Sequence, residues 1–363
     1  MYNHLSCLLK PKTATSDVVT QVKYPAPFMV LHRRCSTILY YCTRHGVRTV
    51  CTKINSEIST DYDSSSGYTT DLIESTNSEC PYGGVRVPIL NVNKKVLPSY
   101  LAGLIEGDGS IVISKNRKGF KLHVQITFAI EDRPLAEKLC EILGVGKVYL
   151  VKNKNCCVYM VQDIKGVIKI INLINGLMRT PKIEALHKAI DFINNKKEDG
   201  YAHITKLEID NSPLNSNYWF SGFIDSDGNF SIKGLSDKDP YPRFNFYLCQ
   251  KTESKSGLSF YPLMSKVGEF LSCNVLERKI NGYPQYSVTT SNNASNTILI
   301  NYLSEFTLFS SKYLNYVDWK TANYLHLSNK KDLDIRAKVL NIKNNMNRKR
   351  SYFNWDHLEL LTV

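Results

Sequence analysis

The chain has 363 residues, 43% of them hydrophobic, with 46 Lys and Arg against 33 Asp and Glu and a net charge of +13. That length and apolar content suit two domains with cores of their own, and the charge points to a polyanion, nucleic acid first and an anionic membrane second. No run of about 18 apolar residues exists, so no membrane span is expected. The ten cysteines form no C-x-x-C pair and no secretory signal precedes them; they read as reduced thiols in an intracellular compartment.

In chain order, residues 1–54 are basic, with eight Lys or Arg against the single acid Asp17. An organellar transit sequence, a nucleic-acid arm and translated sequence upstream of the folded domain are all compatible with that composition, and the segment stays unassigned. Residues 55–90 are rich in Ser, Thr, Asn, Asp and Gly, a composition that buries no core and reads as a flexible polar linker. Two half-domains are expected next, at 91–210 and 211–328, followed by a basic tail at 329–363.

The halves are recognised by a repeated stretch. Leu101 to Gly109 reads Leu-Ala-Gly-Leu-Ile-Glu-Gly-Asp-Gly, and Phe220 to Gly228 reads Phe-Ser-Gly-Phe-Ile-Asp-Ser-Asp-Gly. Each copy begins as an apolar helix, and each runs straight into a strand. Ala102-Gly103 and Ser221-Gly222 carry almost no side chain, so two such helices can pack backbone to backbone. Pro98 sits in a first helical turn, where proline is tolerated, and Asn215 and Ser216 are candidate N-caps for the second helix. Asp108 and Asp227 fall at helix C-termini, where the macrodipole disfavours a carboxylate by roughly 0.3–1 kcal/mol. An Asp-Gly turn closing a helix is the plain reading of one copy; two copies in the same setting ask for a cation.

The rest of each half repeats as well. Leu122, Val124, Ile126 and Phe128 alternate with Lys121, His123, Gln125 and Thr127 along one expected strand. Phe244, Phe246 and Leu248 alternate with Arg243, Asn245 and Tyr247 along its counterpart. A helix, a strand pair, a second helix and a final helix opened by Lys182 or Lys312 follow in each half. The fold class is therefore α+β, as two pseudo-twofold-related αββαββα half-domains with the motif helices at their interface.

The two motifs and their surroundings resemble the LAGLIDADG homing endonucleases in their single-chain, two-motif form, over about residues 95–330. The resemblance implies a monomer that lays saddle-shaped antiparallel sheets on a pseudo-palindromic double-stranded DNA target and cuts both strands. It also implies an intron-encoded protein of the mitochondrion. Among similar proteins some act as maturases, which bind the host intron RNA and help it splice; that is the alternative function. A maturase needs a basic surface but no carboxylate pair, so Asp108 and Asp227 favour the nuclease without excluding a protein that does both.

The chemistry rests on Asp108 and Asp227. Phosphodiester hydrolysis needs an activated water and a neutralised leaving oxygen, and divalent metals supply both. Mg²⁺, or another divalent cation such as Mn²⁺, is the expected cofactor, because hard cations bind through one or two carboxylates plus substrate phosphate. By resemblance, the backbone carbonyls of Gly107 and Ser226 add metal ligands. Lys182 and Lys312 match the family's active-site lysine, and Gln250 matches the residue that orders water around the metals. Counting along the strands places Asp132 at the position in the first half that Gln250 holds in the second. Glu106 and Asp225, at the sixth motif position, read as hydrogen-bonding groups of the helix interface.

The polar strand faces would read the DNA major groove. Gln125 and Asn245 suit adenine, Arg243 suits guanine, and Ser114, Lys121, His123, Lys233 and Tyr247 lie where they can reach bases or phosphates. A solvated sheet face is the plain alternative. The histidines lack metal-ligand partners at a fitting spacing, and no phosphate-binding glycine loop occurs. For the tail, a solvated basic segment and a phosphate contact stand side by side.

Overall fold

The computed structural model describes residues 39–44, 47–52, 96–116, 119–196 and 200–361. The linker expected at 55–90 lies outside the described residues, and so does the basic segment 1–54 apart from one hairpin. In that hairpin β1 (Leu39–Arg44) and β2 (Val47–Thr52) pair antiparallel, with Leu39 opposite Thr52.

From residue 96 the chain builds two similar halves. The first runs α1 (Val96–Asp108), β3 (Gly109–Asn116), β4 (Gly119–Ala129), α2 (Arg133–Leu143), β5 (Lys147–Leu150), β6 (Cys156–Val161), α3 (Ile164–Ile174) and α4 (Ile183–Asn194). The second runs α5 (Trp219–Asp227), β7 (Gly228–Lys233), β8 (Arg243–Lys251), α6 (Tyr261–Phe270), β9 (Val275–Ile280), β10 (Tyr283–Thr289), α7 (Asn293–Glu305) and α8 (Lys312–Ser328), and α9 (Leu333–Asn345) follows. Each half thus carries the αββαββα order and completes it with one more helix, the one at whose start the site lysine stands. The sheets are ordered β3-β4-β6-β5 and β7-β8-β10-β9, antiparallel throughout.

The alternating pattern sorts the strands as expected. Leu122, Val124, Ile126 and Phe128 are buried under the helices, while Lys121 and Thr127 are exposed and His123 and Gln125 half-exposed. Helix ends follow local chemistry. Asp163 caps α3 by accepting the Gly166 N–H at 2.6 Å, Asn292 caps α7 from Ser295 at 2.9 Å, and Gly144 closes α2 in the left-handed region, φ 62°. Asn215 and Ser216 do not cap α5. They form a 3-10 turn, and the helix starts at Trp219, whose N–H donates to Asn217 Oδ1 at 2.9 Å. The Tyr218 N–H is held by Ser99 Oγ of α1 at 3.2 Å, which fixes that start against the other half.

The motif helices α1 and α5 pack against each other at the centre. A Cβ on Gly103 would lie 2.0 Å from the Trp219 carbonyl oxygen, and one on Gly222 would lie 2.1 Å from that of Tyr100. The glycines are reciprocal, and only a missing side chain permits that approach. Aromatic residues fill the second half: Phe230 packs within 5.5 Å of Phe246, Tyr316 and Trp319, and Phe220 meets Phe270 and Tyr302.

The stretch after residue 329 docks on the second half. Val339, Met346, His357, Leu358 and Leu361 are buried. The Arg350 guanidinium donates to Asp318 at 2.5 Å, and Asn347 bonds Asn315 and the Phe230 carbonyl. Among the described residues no helix is long and apolar enough to cross a membrane, and Cys140, Cys156, Cys157, Cys249 and Cys273 are unpaired thiols.

Candidate active site

Asp108 and Asp227 are the last residues of α1 and α5, and the helix packing brings them together. A Cβ on Gly107 would stand 1.7 Å from Ser226 Oγ and 3.0 Å from Asp227 Oδ2, so the two helix ends abut. Asp108 keeps solvent access, yet desolvation by the surrounding protein, then the charge of Asp227, push its pKa up to about 6, against the pull of Lys312 and Lys182. Burial raises Asp227 too, opposed by the Gln250 amide and both lysines. Two carboxylates that resist ionising side by side form a site for a cation.

Each helix end already has one cation. Lys182 precedes α4, and its Nζ donates to the carbonyls of Ile105 (3.1 Å), Gly107 (2.7 Å) and Gly109 (2.9 Å). Lys312 opens α8, and its Nζ donates to Ile224 (3.1 Å) and Ser226 (2.5 Å). An ammonium on the unpaired carbonyls of a helix C-terminus answers both the hydrogen-bond deficit and the dipole. Burial lowers both lysine pKa values, while the nearby carboxylates work to raise them. All three donors of Lys182 are used on backbone. The carbonyls of Gly107 and Ser226 therefore each hold a lysine proton, leaving each oxygen its second lone pair.

The sixth-position acids explain how the lysines are placed. Glu106 is buried and accepts the N–H groups of Arg179 and Thr180, at 2.9 and 2.5 Å, from the turn before Lys182. Across the interface it also accepts Trp219 Nε1 at 2.6 Å. Asp225 accepts the N–H groups of Phe309 and Ser310, at 2.7 and 3.1 Å, from the turn before Lys312, and across the interface the Tyr100 hydroxyl at 2.8 Å. Burial raises both acids' pKa values, and these hydrogen bonds pull them back. Each acid thus ties its own lysine turn to the facing motif helix. Sequence reasoning missed Tyr100 and Trp219, although the repeat places a polar-tipped aromatic at the same point of both motif helices. It also missed Arg179, whose guanidinium bonds Asp210 and Ser212, each at 2.6 Å, and lies 5.3 Å over the Trp219 ring.

Gln250 Nε2 donates to Asp227 Oδ2 at 2.8 Å. Its counterpart is not Asp132. Gly109 pairs with Ile126 and Gly228 with Leu248, so the position two beyond each partner is Phe128 in the first half and Gln250 in the second. Counting from Phe128 misaligned the strands, because Phe246 corresponds to Val124. Phe128 is buried and offers Asp108 no hydrogen bond. Asp132 instead accepts the Ser311 N–H at 2.6 Å, in the turn before Lys312.

The outer sheet faces hold the expected nucleic-acid residues. In the first sheet Ser114, Lys121, His123 and Gln125 all face outward; the Ser114 hydroxyl bonds the Lys121 carbonyl and Lys121 Nζ bonds Gln162. In the second, Lys233 is exposed, Tyr247 half-buried, and Arg243 is paired with Asp239 at 2.6 Å. Asn245 departs from the expectation. It is 7% exposed, its Nδ2 donates to the Thr290 carbonyl at 2.9 Å, and its Oδ1 is buried without a partner. That amide nitrogen is engaged at the strand end, while the residue still lines the groove on the outer face. The outer face of this sheet is a groove of about 830 Å³ lined by Asn229, Ser231, Lys233, Tyr247 and Arg278, among others.

A metal suits this donor set. The carboxylate pair is hard, anionic and mutually repelling, and the lysines spend their donors on backbone carbonyls. Among the described residues no group of three or more His, Cys, Asp or Glu is placed to hold a metal; a hard divalent cation here would be held by the two carboxylates and completed by backbone, water or phosphate oxygen.

The comparisons with known proteins agree with this geometry. The family model described as LAGLIDADG endonuclease matches residues 101–193 and 220–323. The intron-encoded DNA endonuclease aI3 of Saccharomyces cerevisiae is 31% identical over 307 residues, covering 74% of each chain. The intron-encoded RNA maturase bI4 of the same yeast is 32% identical over 133 residues, 36% of this chain and 19% of that one. Among solved structures, the LAGLIDADG homing endonuclease I-SmaMI bound to cleaved DNA superposes with a TM-score of 0.57 at 18% identity, over 71% of this chain and 99% of that one; at this identity the likeness is one of fold.

Proposed function

The chain belongs to the LAGLIDADG endonuclease family, and from that premise we propose that it is a site-specific, metal-dependent endonuclease that cuts both strands of a pseudo-palindromic DNA target and so spreads its intron. The observation that carries this reading is the pair Asp108 and Asp227, each raised in pKa and set at the abutting ends of α1 and α5.

In this reading the two carboxylates hold Mg²⁺ or Mn²⁺, which when bound would neutralise phosphate charge and acidify a water. The chain's own groups do the rest. Gln250 fixes the Asp227 carboxylate by its amide. Lys182 and Lys312 anchor the helix ends and hold positive potential where the phosphates would sit. The sheets lie along the duplex, with Ser114, Lys121, His123, Gln125, Lys233, Arg243 and Tyr247 reaching bases or phosphates and setting a strong salt dependence. One chain supplies both half-sites, so it acts as a monomer, and intron-encoded relatives support a mitochondrial location.

The test uses the full chain with DNA joining the two exons without the intron, in Mg²⁺ or EDTA. Metal-dependent double-strand cutting near the junction is expected; Asp108→Asn should abolish it and leave DNA binding in place. An Asp108→Asn variant that cuts both strands at the normal rate would sink the metal role. The match to the RNA maturase bI4 favours one second reading, that the chain also binds its intron RNA and speeds splicing. Its signature is tight Mg²⁺-supported binding to that RNA with faster splicing.

A further inference from the structure

The turns ahead of the two lysines are built alike but held differently. Glu106 and Asp225 play matching parts in them. Beyond those acids, the first turn is held by the segment that joins the halves: the Asp210 N–H donates to the Met178 carbonyl at 2.9 Å, and Arg179 reaches Asp210 and Ser212. The second turn, Phe309 to Ser311, has no such linker. Two other groups hold it.

The first is Asp132, from the opposite half, whose Oδ1 accepts the Ser311 N–H at 2.6 Å. Ser311 corresponds to Pro181 in the first turn, and proline has no N–H to satisfy. The second is His357, near the end of the carboxyl-terminal strap, whose Nε2 lies 3.1 Å from the Phe309 carbonyl oxygen. A carbonyl only accepts, so Nε2 carries the proton. The ring is 6% exposed and stacked on Tyr313 at 4.3 Å and on Trp355 at 5.5 Å. The strap that delivers it is fastened along its length by Arg350 on Asp318, Asn347 on Asn315, and the buried Leu358 and Leu361. The N–H groups of Phe309, Ser310 and Ser311 and the Phe309 carbonyl are therefore all engaged, the last two through contacts with no equivalent at the first turn.

We propose that His357 and Asp132 are positioning residues for Lys312, whose ammonium bonds the carbonyls at the end of the Asp227 helix, so that the carboxyl-terminal strap serves the half-site of Asp227 more than that of Asp108. This rests on the nuclease reading and deepens it. A group that places a lysine within one half-site should act on one strand, whereas a group that merely stabilises the fold should act on both.

The test is strand-resolved cleavage of a supercoiled plasmid carrying the target, with the full chain. His357→Phe keeps the stacked ring and removes the donor; His357→Gln restores a donor. His357→Phe should slow one strand roughly tenfold to a hundredfold, leave the other within about twofold, and accumulate nicked circle at unchanged DNA affinity. His357→Gln should recover much of the loss. If His357→Phe does not fold, as its melting shows, Asp132→Ala against Asp132→Asn reads the same turn from the other side, since only Asn keeps an acceptor oxygen. Equal slowing of both strands, or no slowing of either, overturns the proposal. Absence of cutting by the unaltered chain overturns the nuclease reading instead.

Discussion

Replacing Gly103 by alanine tests the helix interface and the site together. The added Cβ would stand 2.0 Å from the Trp219 carbonyl oxygen and 2.8 Å from the Phe223 nitrogen, where ordinary contact begins at 3.4 Å. Both are backbone atoms of α5, so no side chain can swing aside, and the helices must part locally by about 1.4 Å. Leu101, Leu104, Phe220 and Phe223 are buried at or beside this seam and would lose contact as it opens. Overpacking of this kind costs about 1–3 kcal/mol. Asp108 and Asp227 end the same two helices, and misplacement by about 1 Å costs on the order of a hundredfold in rate. Gly103→Ala should therefore lose about 2 kcal/mol in urea unfolding, and roughly a hundredfold in single-turnover cleavage with DNA affinity little changed. Gly222→Ala, which meets Tyr100 at 2.1 Å, should behave alike. Stability within about 0.5 kcal/mol of the parent and an unchanged rate would refute the claim that this contact sets the carboxylate geometry.

Three further outcomes are expected. Glu106→Ala strips acceptors from the buried Arg179 and Thr180 N–H groups and from Trp219 Nε1, so it should destabilise by on the order of 3 kcal/mol, with Glu106→Gln milder because an amide oxygen still accepts; a chemical melt decides. Gln250→Leu leaves Asp227 without its amide and should slow one strand more than the other, visible as nicked plasmid; equal slowing would count against a local role. Asp108 is raised from 3.8 to about 6 and Asp227 is raised as well, so the metal-free native chain binds more protons than the unfolded one across that window. Its stability should fall as pH rises through it, and Mg²⁺ should raise Tm more at pH 8 than at pH 5. Equal shifts at the two pH values would argue against the carboxylates as the metal site.

Much of the frame was legible because repetition carried it. Period-two alternation marked β4 and β8, and the small pairs Ala102-Gly103 and Ser221-Gly222 marked the seam where two backbones meet. The sixth-position acids were legible as interface groups, but not their partners, since Arg179, Thr180, Phe309 and Ser310 are distant in sequence and bond through backbone N–H groups that every residue possesses. The start of α5 was misjudged because tertiary contact won over capping preference: Ser99 of the other half holds the Tyr218 N–H, and Asn217 rather than Asn215 meets the first turn. Asn245 looked like a base reader by alternation alone. Alternation gives the face and not the burial: Asn245 lines the outer groove, but its amide nitrogen is tied to the Thr290 carbonyl at the strand end. Asp132 was misaligned because a repeat counted by residue type slips where the sheet register does not.

That slip has a physical lesson for the site. The pseudo-twofold is strict where the backbone packs and loose where the chemistry is finished. Gly103 and Gly222 mirror each other, as do Tyr100 and Trp219, Glu106 and Asp225, and Lys182 and Lys312. Around that frame Phe128 takes the position of Gln250, Pro181 that of Ser311, and the linker at Asp210 is answered by the strap at His357. A homodimer could not differ in this way, because each substitution would enter both halves. In a single chain each half-site can be tuned against its own strand, so these differences, on the strands as in the turns, are where an inequality in cutting would originate.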